Sequence, residues 1–342
     1  MRAIRRLSIA SLAIIAALTV AALTVAAIGT PQDAPSLSAP GRLVDLGGYR
    51  FHLLCLGSRA PGRPLVVFSP GGGDFATDWL PVLEALSDSL RVCSYDRPAF
   101  GWSEPGPHPH TFRQEAFELH LALERAGERG PYVLVGHSLG ACVAREFARA
   151  YRPDVAGMVL IEPANENGML GYRGQWVLPR TLASQRPIPA PRRYADAPPV
   201  RDTTVDGDSC RARALRTARI WRPYDRLGAA AQRYRVWALG HPPCVVWQDD
   251  LFAEEMAGFY GEWSRSPHPL ADLPLTVIRG GPRPPPPGLT DAQVRADSAR
   301  VDLTRLSSRG RAITDSLSGH HVQLDNPRLV VRAVRDLVAG IR

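Results

Sequence analysis

Ser138 is the residue in this chain best placed to act as a nucleophile. It lies in Gly136-His137-Ser138-Leu139-Gly140, behind the apolar run Tyr132-Val133-Leu134-Val135 and ahead of helical spacing from Ala141 to Tyr151. A serine hydroxyl at neutral pH needs a base to become reactive. It also needs exposure, and a sharp strand-to-helix turn supplies that by lifting the side chain above the sheet. The strained turn demands bare neighbours two residues to either side, which Gly136 and Gly140 provide. The same turn aims the Leu139 N–H and the positive end of the following helix at one spot.

The base should be an imidazole brought in late in the chain. Ser318-Gly319-His320-His321 precedes the last helical stretch, and His320, directly after the glycine, is preferred over His321. His137 is expected to prop the turn rather than take the serine proton. The charge developing on a tetrahedral intermediate requires two aimed donors. One is the Leu139 N–H. The other is expected from Pro70-Gly71-Gly72-Gly73-Asp74, with Gly72 preferred and Gly71 and Gly73 close behind. That loop lacks the Gly-Lys-Ser/Thr ending of a nucleotide-binding loop. A carboxylate should fix the histidine tautomer and support the imidazolium. The stretch Arg279 to Gly288 carries none. Two candidates remain, Glu162 at the end of an apolar run and Asp291 further along, and Glu162 is preferred.

These groups must be held by a sheet. Arg42 to Asp45 and Tyr49 to Gly57 read as a hairpin around Gly47-Gly48. Pro64 to Ser69, Arg91 to Asp96, Tyr132 to Val135, Val155 to Ile161, Leu275 to Ile278 and Arg311 to Thr314 read as further strands. Helical spacing separates them: Thr77 to Leu90, a helix opened by a Thr111/Gln114 capping box and running to Ala126, Asp291 to Leu306, and Asn326 to Ile341. Strands alternating with helices imply a mostly parallel sheet covered on both faces, with reactive groups at the carboxyl ends of the strands. Gly71 to Gly73, Ser138, Glu162 and His320 all follow strand ends. Residues 164–272 break the rhythm. They hold five of the seven tryptophans (Trp176, Trp221, Trp237, Trp247, Trp263) and no clear strand, and read as a mostly helical cap that lines a pocket and excludes water.

The chain has 342 residues and is 45% hydrophobic, enough for one large domain with an insertion. Its net charge of +8 comes entirely from arginine, spread along the chain, with no lysine and no nucleic-acid-binding motif. Met1 to Arg6 is basic and Leu7 to Ile28 is uncharged. That run suits a membrane span, which takes about 20 residues, with the arginines inside and the rest outside; cleavage near Ala26 or Ala27 would instead release the chain. The domain expectation is therefore 1–29 as anchor or signal, 30–41 as linker and 42–342 as the catalytic domain. Outside the cytoplasm disulfides are permitted. Cys210 and Cys244, both in the insertion, are expected to pair, with Cys55 and Cys93 as plain core residues. No cysteine or histidine cluster suggests a metal.

Taken together, the residues resemble the α/β-hydrolase superfamily from about Gly41 to the C-terminus. The resemblance rests on Gly136-His-Ser-Leu-Gly140, on Tyr95-Asp-Arg-Pro-Ala-Phe-Gly-Trp-Ser103 as the loop after the fourth strand, and on Gly319-His320 followed by Asp325-Asn-Pro327. It departs in having Ser69-Pro70-Gly71 where a His-Gly pattern is common, and in lacking an acid after Ile278. Some members carry the acid one strand earlier, where Glu162 stands. The resemblance implies an eight-stranded sheet, a helical cap inserted after the sixth strand and no cofactor. Ser138 argues against the members that use an aspartate nucleophile. The expected activity is hydrolysis of a carboxylic ester or related small acyl compound through Ser138, His320 and Glu162, with Gly72 and Leu139 as oxyanion donors. Acyl transfer to an alcohol at a membrane face, and a non-catalytic binding role for the same fold, are the alternatives.

Overall fold

The computed structural model describes residues 37–172, 175–178, 187–198, 207–242, 251–282, 288–298 and 301–341. The uncharged run Leu7 to Ile28 lies outside them; among the described residues no helix is long and apolar enough to cross a membrane. Residues 39–342 form one contact unit.

The chain opens with strands β1 (Arg42–Asp45) and β2 (Arg50–Leu56), then β3 (Leu65–Ser69). A 3-10 turn at Ala76–Trp79 leads into helix α1 (Leu80–Ser87) and strand β4 (Val92–Tyr95). Helix α2 (Phe112–Arg125), strand β5 (Tyr132–His137), helix α3 (Gly140–Ala150) and strand β6 (Val155–Ile161) follow. The insertion holds β7 (Leu170–Tyr172), β8 (Gln175–Val177) and helices α4 (Gly207–Thr217), α5 (Ala229–Gly240) and α6 (Phe252–Arg265). The chain closes with β9 (Leu275–Gly280), α7 (Asp291–Ser298), β10 (Gly310–Asp315), the short α8 (Val322–Asp325) and α9 (Pro327–Ala339).

Eight strands form one sheet in the order β1-β2-β4-β3-β5-β6-β9-β10. The β1–β2 and β2–β4 pairings are antiparallel and all others parallel. Every residue of β3, β4 and β5 is buried, as a parallel sheet covered on both faces requires. One face packs its leucines and valines against α2, α3 and α6 through Leu119, Leu123, Phe147, Met256 and Phe259. The other packs against α1 and α9 through Leu83, Leu86, Val330, Val334 and Leu337. In α9 the buried positions recur every three or four residues, and Asn326 caps the helix by accepting from the Leu329 N–H at 3.2 Å.

The structure alters four sequence expectations. The insertion, expected to be mostly helical with no clear strand, also holds β7 and β8 as a separate antiparallel pair. Its last helix, α6, belongs to the main core; Met256 is fully buried and Phe112 meets Phe252 and Phe259 at ring separations of 6.1 and 6.3 Å. The capping box is half made. Thr111 accepts from the Gln114 N–H at 3.0 Å, but the Gln114 side chain turns away to Glu118 and to both backbone groups of Arg192. Finally, Cys55 and Cys93 are joined by a disulfide. They are register partners on antiparallel β2 and β4 with Cα atoms 4.1 Å apart, the close approach of a non-hydrogen-bonded pair. Cys210 is also disulfide-bonded, whereas Cys244 lies outside the described residues; Cys142 is free and buried.

Candidate active site

The kink after β5 has the backbone its sequence calls for. Ser138 has φ 51°, in the left-handed region that costs an L-residue of order 1–3 kcal/mol. Its N–H donates to the Ile161 carbonyl at 3.0 Å, and its own carbonyl accepts from Ala141 and Ala164. The flanking glycines are forced by close approach. A Cβ on Gly140 would fall 2.2 Å from the Ser69 carbonyl oxygen at the end of β3, and one on Gly136 would fall 2.6 Å from the Ala141 Cα. The turn therefore closes against backbone that has no room to move aside.

Ser138 Oγ lies 3.0 Å from His320 Nε2. With Nε2 accepting the hydroxyl proton, Nδ1 carries the ring proton and faces Glu162 Oε2 at 3.5 Å, a long contact for a hydrogen bond. The other Glu162 oxygen, Oε1, accepts from the Gly280 N–H at 2.6 Å, and the Glu162 N–H donates to the Ile278 carbonyl at 2.8 Å. Glu162 is thus fixed to β9 at both ends. Its φ is 42°, a second left-handed residue on the strand next to the nucleophile's. Asp291 is exposed on the first turn of α7. The carboxylate facing the His320 ring is that of Glu162.

The glycine loop packs beside the residue that follows Ser138. A Cβ on Gly72 would lie 2.9 Å from Leu139 Cδ1, so the glycine loop and the residue after the nucleophile are side by side. The Gly71 N–H is taken by Asp74 Oδ2 at 3.2 Å. The Gly72 N–H makes no hydrogen bond among the described residues.

His137 does not face the nucleophile. Its Nδ1 meets Asp74 Oδ2 at 2.8 Å and its Nε2 meets the His320 carbonyl oxygen at 2.9 Å, so both ring nitrogens point at oxygen acceptors. His321 Nε2 lies 2.9 Å from the Tyr224 hydroxyl, which itself donates to Asp74 Oδ1 at 2.5 Å. Asp74 is buried; burial alone would raise its pKa, but the hydrogen bonds from His137 and His321 outweigh it and hold the carboxyl well below its ordinary range. Burial, reinforced by the Asp74 charge, pushes the Tyr224 phenol up, so its hydroxyl keeps a proton to donate.

Asp74, His137 and His321 are also the described residues whose donor set most suits a metal ion, with ligand atoms within 4.8 Å of one another. Within the set, His137 Nδ1 lies 2.8 Å from Asp74 Oδ2, and the Tyr224 hydroxyl stands between His321 Nε2 and Asp74 Oδ1, at 2.9 and 2.5 Å.

Several of these groups escaped the sequence reading. Asp74 carried a signal, since it closes the glycine run. Tyr224 carried none, because it meets Asp74 across 150 residues. Asp96 is a third organiser: Oδ1 accepts from Ala76 N at 2.8 Å and Oδ2 from Trp102 N at 3.0 Å. Oδ2 also meets His52 Nδ1 at 2.7 Å. Burial disfavours a charged His52, but Asp96 overrides it and raises the histidine pKa. Trp102, held in this way, stacks on Trp237 of α5 at 4.4 Å and 9°, which seats the insertion on the core.

Comparison with known proteins bears on the family and the fold. Residues 66–333 match the family model described as alpha/beta hydrolase family. An AB hydrolase superfamily protein of Gibberella zeae is 25% identical over 302 residues, covering 82% of this chain and 88% of that protein. A probable transporter, efuK, of Hormonema carpetanum is 31% identical over 129 residues, 36% of this chain. The matched region spans between about a fifth and two fifths of the length of several such relatives, 18% in efuK and 39% in an uncharacterised Bacillus subtilis protein. Among solved structures, the enol-lactonase of Burkholderia xenovorans superposes with a TM-score of 0.54 at 18% identity, covering 87% of this chain and all of that one. The sheet order, the kinked strand end after β5 and a family match over most of the sequence lead to one assignment: this chain belongs to the alpha/beta hydrolase family.

Proposed function

We propose that the protein is a serine hydrolase acting on a carboxylic ester or related acyl compound, with Ser138 as nucleophile, His320 as general base and acid, and Glu162 as the supporting carboxylate. The observation that carries this reading is the 3.0 Å contact between His320 Nε2 and Ser138 Oγ, on a ring whose opposite nitrogen faces a carboxylate. His320 takes the hydroxyl proton as Ser138 Oγ bonds to the acyl carbon. The negative oxygen is held by the Leu139 and Gly72 N–H groups. The acyl–oxygen bond then breaks, His320 returns its proton to the departing alcohol, and an acyl-serine remains. Water, deprotonated by the same ring, releases the acid and restores Ser138.

A fluorophosphonate should label Ser138 with one equivalent. Labelling should vanish in Ser138→Ala and fall sharply in His320→Ala. Undiminished labelling of Ser138→Ala would overturn the assignment. The domain is placed outside the cytoplasm in this proposal, tethered by the segment around Leu7 to Ile28 or freed by its cleavage. The basic start, the apolar run and the Cys55–Cys93 disulfide support that location. Fractionation of cells expressing the full chain tests it, and a protein found in the cytosol with reduced cysteines would rule it out.

A further inference from the structure

Two side chains of the insertion reach into the catalytic framework without facing Ser138. Arg235, on α5, is fully buried, and its guanidinium pairs with Asp78 Oδ2 while donating to the Gly73 carbonyl at 3.3 Å. Asp78 Oδ2 also accepts from the Phe75 N–H at 2.9 Å. One guanidinium thereby ties together the segment from Gly73 to Asp78, directly after Gly72. The same guanidinium lies over the Tyr224 ring, 3.2 Å from its centroid.

Tyr224 continues the chain of contacts. Its hydroxyl donates to Asp74 Oδ1 and meets His321 Nε2. Asp74 Oδ2 in turn accepts from the Gly71 N–H and meets His137 Nδ1, and His137 Nε2 meets the backbone carbonyl of His320. Starting at the cap, this buried path ends on both parts of the machinery that must be fixed to within a fraction of an ångström: the glycine loop that offers an oxyanion donor and the main chain of the base. Asp74 and His137 hold these two ends directly, and Tyr224 links that pair to the insertion. Gly72 has no side chain, and His320 sits on a loop whose side chain is committed to Ser138.

We propose that Tyr224 and Arg235 are positioning residues, which use the buried Asp74–His137 pair to hold the Gly71–Gly73 loop and the His320 backbone in the reactive arrangement. The insertion is then part of the catalytic framework as well as a cover. This inference rests on the Ser138–His320–Glu162 reading above.

The test is Tyr224→Phe, which removes a hydroxyl and keeps the ring under Arg235. Hydrolysis of p-nitrophenyl acetate, fluorophosphonate labelling rate and melting temperature are measured on the full chain. A hydrogen bond to a charged group is worth about one to two decades in rate where it acts on the transition state. The expected result is a roughly 10- to 100-fold fall in kcat with an equal fall in labelling rate, KM within about twofold and cooperative melting retained. Arg235→Lys, which keeps the charge but not the fork, should lower kcat in the same manner. Tyr224→Phe combined with Asp74→Asn should cost less than the sum of the two. A kcat within about threefold of wild type, a loss confined to KM, or a loss that tracks the unfolded fraction would each overturn the proposal. Wild-type protein that fails to label at Ser138 would instead refute the catalytic reading itself, so the two failures are distinguishable.

Discussion

Replacing Glu162 by glutamine isolates the charge behind His320. The substitution preserves size, and the amide oxygen can keep the bond that Oε1 receives from the Gly280 N–H. What faces His320 Nδ1 is then an NH2 group, which donates and cannot accept. The ring is driven to the tautomer with its proton on Nε2, where it can no longer receive the Ser138 hydrogen. The lost electrostatic support can be sized from the 3.5 Å separation. With an effective dielectric of 20, a full charge pair at that distance is worth about 5 kcal/mol, and at 40 about half as much. The imidazole is 37% exposed and the carboxylate 8%, which favours the weaker value. These limits correspond to a fall in kcat of roughly 60-fold to 3,000-fold, with the result expected nearer the lower figure. KM should barely move, because the imidazolium forms only as the serine attacks. Initial rates with p-nitrophenyl acetate, alongside the rate of fluorophosphonate labelling, give both quantities. Asp291→Asn, at an exposed position, should change kcat by less than about twofold. Wild-type turnover in Glu162→Gln, or the large loss appearing in Asp291→Asn, would refute the argument.

Two further outcomes concern stability. Burial pushes the Glu118 carboxyl up from 4.5 to about 8, opposed only in part by hydrogen bonds from Tyr49 and Gln114. A carboxyl raised in the folded state contributes stability that is complete below its unfolded pKa and is lost as pH rises through the folded one. Denaturant melts should therefore weaken between about pH 5 and pH 8, and Glu118→Gln should flatten that slope by about 2–4 kcal/mol; an unchanged slope would show that Glu118 is not the titrating group. Glu255 and Asp78, each also raised to about 8 by burial, titrate over the same range and contribute further slope. The Cys55–Cys93 link spans 38 residues, so the double variant Cys55→Ser/Cys93→Ser should lose about 2–4 kcal/mol in urea unfolding. Reductant alone would be ambiguous because Cys210 is also bonded; full stability in the double variant would show that the link adds nothing.

What could be read in advance was whatever the chain specifies locally. The continuous apolar runs gave the parallel strands, since a strand buried on both faces has no polar side to confuse it. Gly136 and Gly140 announced a turn that tolerates no side chain, and the glycine run after β3 announced backbone open to close approach. Asn326-Pro327 marked the last helix because capping is a matter of adjacent residues. The illegible features all depend on which strands and loops become neighbours. Cys55 and Cys93 looked like core residues because their bond requires β2 to lie antiparallel beside β4, a fact of sheet order. Gln114 looked like half of a capping box, but Arg192, 78 positions away, offered its side chain a better pairing. Tyr224 meets Asp74 across 150 residues, and nothing near either one records it. Position along the chain favours Glu162 over Asp291 only narrowly, because the choice is one of distance to an imidazole.

Ser138 and Glu162, the proposed nucleophile and acid, stand at matched points on adjacent strands. His137 is paired with Ile161 in the β5–β6 ladder, so the next residue on each side, Ser138 and Glu162, is where both strands leave the sheet with a left-handed kink. Their spacing is consequently a count of residues rather than a product of side-chain choice. Adding or deleting a single residue within β6 would turn its last side chain to the opposite surface of the sheet, leaving the imidazole without its counter-charge. Length changes in this lineage should therefore accumulate in the insertion, where the chain can grow or shrink while these two strands keep step.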